Sequence, residues 1–347
     1  MSAISAVDAI GPAIQRTRTF LFRPFRWGTF LKLCLVALLT EGLGGNFNFT
    51  MPGGRSSKHT HIAHSPFIFT PARVAAIAAA ALVLIVLCFI LAYLITRLRF
   101  AYFHCLIHNT RQIRPGWRLY RSQAVRFFWL SIVVGLCFLL LAAIIAVPFV
   151  AGFWRLFHHM PHGGHPDFGA LLFLVLPLIP IIFLLVLAGV AADLILRDLI
   201  LPHFALDNAT AGQAWAAAWT RICAEKGPFF VYALLRVVLP LAAKVALFLV
   251  LIIPGLVIIA VFAIIEVGIH LAFAGAAGGA AIIGILLQIV VGLVAFVILL
   301  FAGLCLVGPL GTTIREYALL FYGARYQRLG EILFPPPDAR LNSQVTA

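Results

Sequence analysis

Long runs of apolar residues, separated by short arginine-rich segments, constrain this chain more than any other feature. Residues 74–95 form an uninterrupted run of about the 20 residues that a helix needs to cross a bilayer. Of the 347 residues, 63% are hydrophobic and 10% are charged, whereas soluble domains average about 45–50% apolar and about 25% charged residues. A larger core cannot absorb this excess, because a larger soluble domain still needs a polar surface. The sequence therefore predicts an all-α, polytopic membrane protein.

The arginine-rich segments predict which side of the membrane each loop occupies. Residues 96–129 carry seven arginines and no Asp or Glu, and short loops of this kind stay on the cytoplasmic face. The N-terminus, residues 197–228 and the C-terminal tail are predicted to lie on the same face, so the number of spans is even. We predict six transmembrane helices, over residues 27–43, 74–95, 127–149, 168–196, 229–253 and 281–307. The stretch 254–280 is either an extension of the fifth span or a re-entrant segment, and Pro177 and Pro180 predict a kink in the fourth.

A weak repeat groups these spans into three hairpins, each preceded by an amphipathic helix on the cytoplasmic surface. An aromatic residue stands ten positions before Phe30, Phe127 and Phe229, namely Phe20, Trp117 and Trp219. The copies are offset by 117 − 20 = 97 and 219 − 117 = 102 residues. Any six-span protein with basic inner loops would also show a similar spacing. The predicted transmembrane domain covers residues 1–331, and residues 332–347 are predicted to be a disordered tail.

The basic inner segments predict contact with membrane lipids. The formal charge is +14, and each basic residue near an anionic membrane surface contributes about 1 kcal/mol of attraction. The candidate headgroup-binding residues are Arg97, Arg99, Arg111, Arg114, Arg118, Arg121 and Arg126. Nucleic-acid binding is not predicted, because no recognition motif accompanies the charge.

Two segments resemble a known group of proteins: HNTRQIRPGWRLYRSQAVRFFW and LILRDLILPHFALDNATAGQAWAAAWTRICAEKGPFFVYALLRVVL. The pattern of a basic, aromatic surface helix followed by a span is similar to that of uncharacterised bacterial integral membrane proteins. Those proteins are in turn similar to the membrane domain of some glycerophosphodiester phosphodiesterases. The catalytic domain of those enzymes has no counterpart here. The resemblance therefore implies a membrane domain of the bacterial cytoplasmic (inner) membrane, and no catalytic residue is carried over.

Two histidine clusters fall in the loops predicted to face outwards. Neutral imidazoles suit divalent transition metals such as zinc, copper and nickel, and three or four such ligands complete a site. The alternative is that these histidines are only polar residues of a loop. The candidate metal ligands are His59, His61, His64, His158, His159, His162 and His165. His104 and His108, at positions i and i+4, are a further pair of possible metal ligands; the alternative is that they are interface residues of an amphipathic segment.

Ionisable residues within predicted spans are functional candidates, because charge is costly in hydrocarbon. These intramembrane charges are Asp193, Arg236, Lys244, Glu266 and His270. Their depths allow an Asp193–Arg236 pair and place Lys244 near Glu266 or Glu41. They would form a proton or ion pathway or, alternatively, structural ion pairs.

Motifs of catalysis are absent from the sequence, including HExxH, GxSxG and the Walker loop. No cofactor is predicted. None of the six cysteines lies in a predicted outer loop, so we expect no disulfides. The sequence favours a non-catalytic membrane protein that interacts with lipid headgroups or a membrane-protein partner through its basic, Trp-rich inner helices. The alternative is a transporter or channel for a small solute or metal ion.

Overall fold

The described part of the structure, a computed structural model, is helical throughout and covers residues 4–42, 71–158, 168–275 and 278–335. Helix α1 is Ile10–Phe22, and α2, Trp27–Ala37, continues as a π-helical turn, Leu38–Gly42. The middle of the chain forms α3 (Pro71–Ile107), α4 (Ile113–Leu119), α5 (Arg121–His158), α6 (Phe168–Val175) and α7 (Leu178–Leu194). A π-helical segment, Ile195–Ile200, leads into α8 (Leu201–Leu206), and α9 (Ala211–Ala224), α10 (Lys226–Phe273), α11 (Gly279–Gly323) and α12 (Gln327–Leu333) follow.

Five helical stretches are long and apolar enough to cross a membrane. They are Val74–Ile107, Arg121–Leu156, Leu172–Leu206, Lys226–Phe273 and Ile282–Gly323. Their most apolar windows have no buried residues, and Phe173, for example, is 84% exposed. Apolar side chains of this size stay exposed in such numbers only when the surrounding medium is lipid. The chain is therefore a multi-pass membrane protein.

The helices of the structure match the predicted spans to different degrees. The stretch that we predict as the first span, residues 27–43, corresponds to α2 and its π-helical turn, which is too short to count among the five. The third stretch of the five, Leu172–Leu206, is interrupted at Leu176 and Pro177, between α6 and α7, where a kink is predicted. Residues 254–273, which the sequence left ambiguous, are a continuation of α10.

The chain divides into two compact units. Unit 1 comprises Met1–Gly42, His104–Gln112 and Trp219–Ala347, and unit 2 comprises Leu43–Phe103 and Ile113–Ala218.

Stacked aromatic rings join α10 to α11 in the core of unit 1. Tyr232 lies parallel to Phe321, with ring centroids 4.3 Å apart, and also stacks on Tyr317 at 5.5 Å. All three side chains are almost completely buried. The Arg325 guanidinium lies 4.0 Å from the centroid of Phe321 and binds Glu225 at 2.7 Å. Parallel stacks of this kind add to the energy of apolar burial, so they hold the two longest helices together.

Three phenylalanines from different helices meet edge to face in the core of unit 2. Phe127 of α5 lies 5.6 Å from Phe100 of α3 and 5.7 Å from Phe204 of α8, measured between ring centroids. Arg97 lies three residues before Phe100 on α3, and its guanidinium lies 4.4 Å from the centroid of the Trp117 ring. Its Nε and Nη2 atoms donate to the Trp117 carbonyl. The aromatic residues of the predicted surface segment therefore fix α4 against α3.

Two asparagines end helices in the same unusual conformation. Asn109 has φ 51° and Asn208 has φ 50°, the left-handed region that asparagine tolerates better than other residues with a Cβ. After α3 the Thr110 amide donates to the Cys105 carbonyl at 2.9 Å, which is the long bond of a Schellman turn. The two positions are 208 − 109 = 99 residues apart, which lies between the two offsets of the predicted repeat, 97 and 102.

Candidate functional site

A buried carboxylate of unit 1 is paired with an arginine from another helix. Glu316 on α11 is fully buried, and its Oε2 atom lies 3.0 Å from Nε of Arg16 on α1. Nη2 of Arg16 donates to the Leu106 carbonyl at 2.7 Å, near the end of α3. A carboxylate removed from water needs such a partner, because an uncompensated buried charge is strongly destabilising. Arg16 therefore balances the charge of Glu316 and also satisfies a carbonyl at a helix end.

A second charged cluster involves Arg315, which stands one residue before Glu316 on α11. Glu41, in the π-helical turn after α2, lies 3.3 Å from Arg236 of α10 and 3.8 Å from Arg315 of α11. The side chains of all three residues are at most 12% exposed. Thr40 and Thr312, both fully buried, donate to carbonyls of their own helices. This cluster joins three helices through a single carboxylate.

A cavity of about 760 Å³ adjoins Arg16 at the end of α11. One side is polar and comes from α1 and from the turn after α3. The other side is mainly apolar and comes from α11, α12 and the two residues after α12. The lining residues are Pro12, Gln15, Arg16, Thr19, Ile107, His108, Asn109, Leu320, Ile332, Leu333, Phe334 and Pro335.

The seven candidate headgroup-binding arginines do not share one role. Arg97 contacts Trp117, as described above, and Arg99 is half-buried. Arg111 donates to the carbonyls of Thr19, Arg23 and Pro24, which satisfies the acceptors at the end of α1. Four arginines remain exposed, namely Arg114, Arg118, Arg121 and Arg126. Of these, Arg126 donates to Asn208 at 3.4 Å.

Helix α9 carries two exposed tryptophans on one face. Trp215 is 47% exposed and Trp219 is 52% exposed, at positions i and i+4. Ala214 and Ala218, one residue earlier in each turn, are buried. The small residues therefore pack inwards, and about half of each large amphipathic ring stays exposed.

The intramembrane charges fall into paired and unpaired sets. Asp193 binds Arg197 at 2.6 Å within its own helical stretch, and Arg236 binds Glu41. Lys244 and His270 are exposed, and Glu266 is half-buried. Lys244 forms no ion pair with any described residue, and its predicted position near Glu266 or Glu41 stays a prediction. The Asp193–Arg236 pair stays a prediction.

The predicted metal site falls almost entirely outside the described residues. His59, His61, His64, His159, His162 and His165 are not described, and His158 lies at the end of α5, 5.1 Å from the Trp154 ring. His104 and His108 have adjacent rings, with centroids 4.5 Å apart. Within the described ranges, no group of three potential ligands is close enough to hold a metal. The outer histidine site stays a prediction.

Sequence reasoning missed the role of Arg16 and Glu316. Arg16 precedes the first predicted span and Glu316 follows the last, so neither is a candidate by the criterion of charge within a span. A signal was present, because an arginine followed by an acid stands in two helix-end segments, at Arg197-Asp198 and Arg315-Glu316. All four residues are buried.

The fold and these sites define an all-helical, multi-pass membrane protein with a buried ion-pair network in unit 1. The chain belongs to a family of unknown function, DUF7544, whose model matches residues 4–332. Searches of curated proteins and of solved structures give no match.

Proposed function

We propose that this chain is a non-catalytic protein of the bacterial cytoplasmic membrane that binds anionic lipid headgroups through exposed, basic, Trp-bearing helices. The observation that carries the proposal is the exposure of Arg114, Arg118 and Arg121 at the junction of α4 and α5. These residues have no acidic neighbour in the sequence between residues 96 and 129. Each exposed arginine adds about 1 kcal/mol of attraction to an anionic surface.

The exposed tryptophans of α9 support the same function. Indole rings prefer the headgroup level of a membrane, where their apolar body and their N–H group are both satisfied. Trp215 and Trp219 expose about half of their surface. Helix α9 lies in the chain between two candidate spans, Leu172–Leu206 and Lys226–Phe273. A helix with buried alanines and outward tryptophans is suited to lie in the interface.

The orientation that we propose places both termini in the cytoplasm. This requires an even number of spans, so α2 with its π-helical turn would be the sixth. It carries two charged residues, of which Lys32 is exposed. Glu41 is compensated by Arg236 and Arg315, which lowers the cost of placing it at membrane depth. The arrangement as three hairpins belongs to the same proposal.

The experiment compares lipid retention in two sets of variants. The triple variant R114Q/R118Q/R121Q removes exposed charge and breaks no ion pair with a described residue. R155Q removes an exposed arginine near the opposite end of α5. Native mass spectrometry from nanodiscs of mixed phosphatidylglycerol and phosphatidylcholine measures retained lipid. We expect the triple variant to lose phosphatidylglycerol selectively and R155Q to retain it. Equal retention by wild type and triple variant would refute headgroup binding at this junction.

The second candidate function is a transporter or channel, and the position of Glu266 within α10 favours it. This half-buried carboxylate lies within α10, and its Oε1 atom is 3.5 Å from where a Cβ on Gly292 of α11 would stand. A carboxylate at such a position is a functional candidate because its burial in an apolar span is costly. The variant E266Q should abolish ion flux into proteoliposomes while leaving the thermal unfolding midpoint unchanged. Without a flux in the wild-type protein, this function is excluded for the ions tested.

A further inference from the structure

The cavity beside Arg16 has the size of a ligand site and walls of two chemical kinds. Its volume of about 760 Å³ lies within the range of about 300–1,000 Å³ that small-molecule sites occupy. All of its lining residues belong to unit 1. The buried networks described above explain the position of Arg16 but leave the cavity without a role.

The polar wall offers several hydrogen-bond donors. Arg16 uses Nε for Glu316 and Nη2 for Leu106, while Nη1 makes no hydrogen bond to a described residue. The side-chain amides of Gln15 and Asn109 likewise have no partner within the described ranges. Both residues are exposed, as is His108. These donors come from two elements that Arg16 itself holds together through the Leu106 carbonyl.

The hydrogen-bond donors of the polar wall favour an anionic ligand. Arg16 lines the cavity, and none of its described lining residues is Asp or Glu. Glu316 lies behind Arg16 on the buried side, where it holds the guanidinium in place. A carboxylate ligand normally takes two parallel N–H groups of an arginine, but here Nε and Nη2 are already engaged. A phosphate has more acceptor oxygens and can accept from Nη1, from the Asn109 amide and from the imidazole together.

The opposite wall is apolar and much larger than a phosphate needs. It is formed by Leu320, Ile332, Leu333 and Phe334, of which Leu320 lies one turn before the end of the candidate span of α11. The end of a span is the depth at which headgroup and acyl chain of a lipid meet. The cavity therefore offers an anionic and an apolar subsite side by side.

We infer that this cavity binds one phosphate group that carries an apolar chain, with the phosphate at Arg16, His108 and Asn109 and the chain against Ile332 and Phe334. This site uses none of Arg114, Arg118 and Arg121. It can therefore fail while the surface proposal holds, and the reverse is equally true.

The test uses the full chain in a neutral maltoside detergent with dodecyl phosphate as the probe. Two variants alter the cavity without touching the Arg16–Glu316 pair. H108A/N109G removes two polar groups and keeps a residue that accepts positive φ, and I332W fills the apolar side. The matched control is R18Q, which alters an exposed arginine of the same helix that does not line the cavity.

We expect isothermal titration calorimetry to show saturable binding of dodecyl phosphate to the wild type. The affinity should fall about tenfold or more in both cavity variants, because H108A/N109G removes hydrogen bonds to the phosphate and I332W removes space for the chain. R18Q should bind within about twofold of wild type, because an exposed charge contributes little. Thermal unfolding midpoints establish that each variant is folded. No binding by wild type, or unchanged binding by both cavity variants, overturns the inference. Inorganic phosphate is the second probe: weaker binding than dodecyl phosphate supports the amphiphile, and equal binding overturns the apolar subsite and assigns a soluble phosphate.

Discussion

Nε of Arg16 lies 3.0 Å from a carboxylate oxygen of Glu316, across 300 residues of sequence and inside the core of unit 1. Glu316 is fully buried, and the Arg16 side chain is 22% exposed. A helix near the N-terminus of the chain is thereby fixed to the last long helix by one ion pair. The first prediction concerns the stability that this pair provides.

Replacement of Arg16 by Met should lower the free energy of unfolding by about 3–5 kcal/mol, because it leaves Glu316 buried without its main counter-charge. The variant R16M/E316L should recover much of this loss, since two apolar side chains need no compensation. The thermal unfolding midpoint of the purified protein in detergent measures both effects. A double variant as unstable as R16M would show that the charge itself is not the cause.

Arg111 and Arg114 are close in sequence but should behave differently. Arg111→Ala removes the donor for three carbonyls at the end of α1, and hydrogen bonds to charged groups contribute about 1.5–3 kcal/mol each. Arg114 is exposed, and Arg114→Ala should change the free energy of unfolding by less than about 0.5 kcal/mol. Denaturation followed by tryptophan fluorescence compares them. Equal losses would contradict the assignment of Arg111 to the end of α1.

Asn109 should tolerate glycine but not a β-branched residue. Its φ of 51° costs about 1–2 kcal/mol for residues with a Cβ that lack asparagine's local hydrogen bonds. Asn109→Val should therefore lower the unfolding midpoint, whereas Asn109→Gly should leave it nearly unchanged. Asn208, with φ 50°, should give the same pair of results. Tolerance of valine at both positions would show that neither turn needs the left-handed conformation.

Gly308 of α11 packs directly against Cys34 of α2. A Cβ at this position would lie 2.7 Å from both Cα and Sγ of Cys34, so Gly308→Ala forces the helices apart, at about 1–3 kcal/mol. Gly303 lies on the same helix, and a Cβ there would meet no described atom within 4 Å. Gly303→Ala should therefore be neutral or stabilising by up to about 1 kcal/mol. The midpoints of the two variants in one detergent decide whether the contact is tight, and identical shifts would argue that it is not.

Cys223 tests the proposed orientation. It is exposed on α9, whereas Cys105 is buried. In a variant that retains only Cys223, a membrane-impermeant maleimide should label inverted vesicles and spare intact spheroplasts. A variant that retains only Cys105 should resist the reagent in both preparations. Labelling of Cys223 in spheroplasts would place α9 on the outer face and reverse the topology.

The sequence predicts the local features of this protein well. Apolar runs predict the helical class and the membrane environment, because in lipid every backbone polar group must be satisfied within the segment. Pro177 predicts the break between α6 and α7, since proline lacks the N–H that would continue the helix. These inferences succeed because each depends on residues that are neighbours along the chain.

The same sequence could not assign partners to the charged residues. Depth along a helix allowed Lys244 to reach Glu41, but Glu41 binds Arg236 and Arg315, and Lys244 is exposed. The side chains that interlock decide which face of one helix packs against the next helix, as Gly308 and Cys34 do. Hydropathy does not record that choice when a helix is apolar on all sides.

Composition and the order of apolar and basic segments therefore determined, by themselves, that this chain is an all-helical, multi-pass membrane protein. Only the tertiary structure decided that Arg16 neutralises Glu316 and that Arg111 binds the carbonyls at the end of α1. It also decided that a cavity with one polar and one apolar wall lies beside them. The physical reason is the sequence separation over which each kind of interaction acts. Burial in lipid acts on each segment independently, whereas ion pairs and cavities require groups from distant segments to meet at distances of a few ångströms.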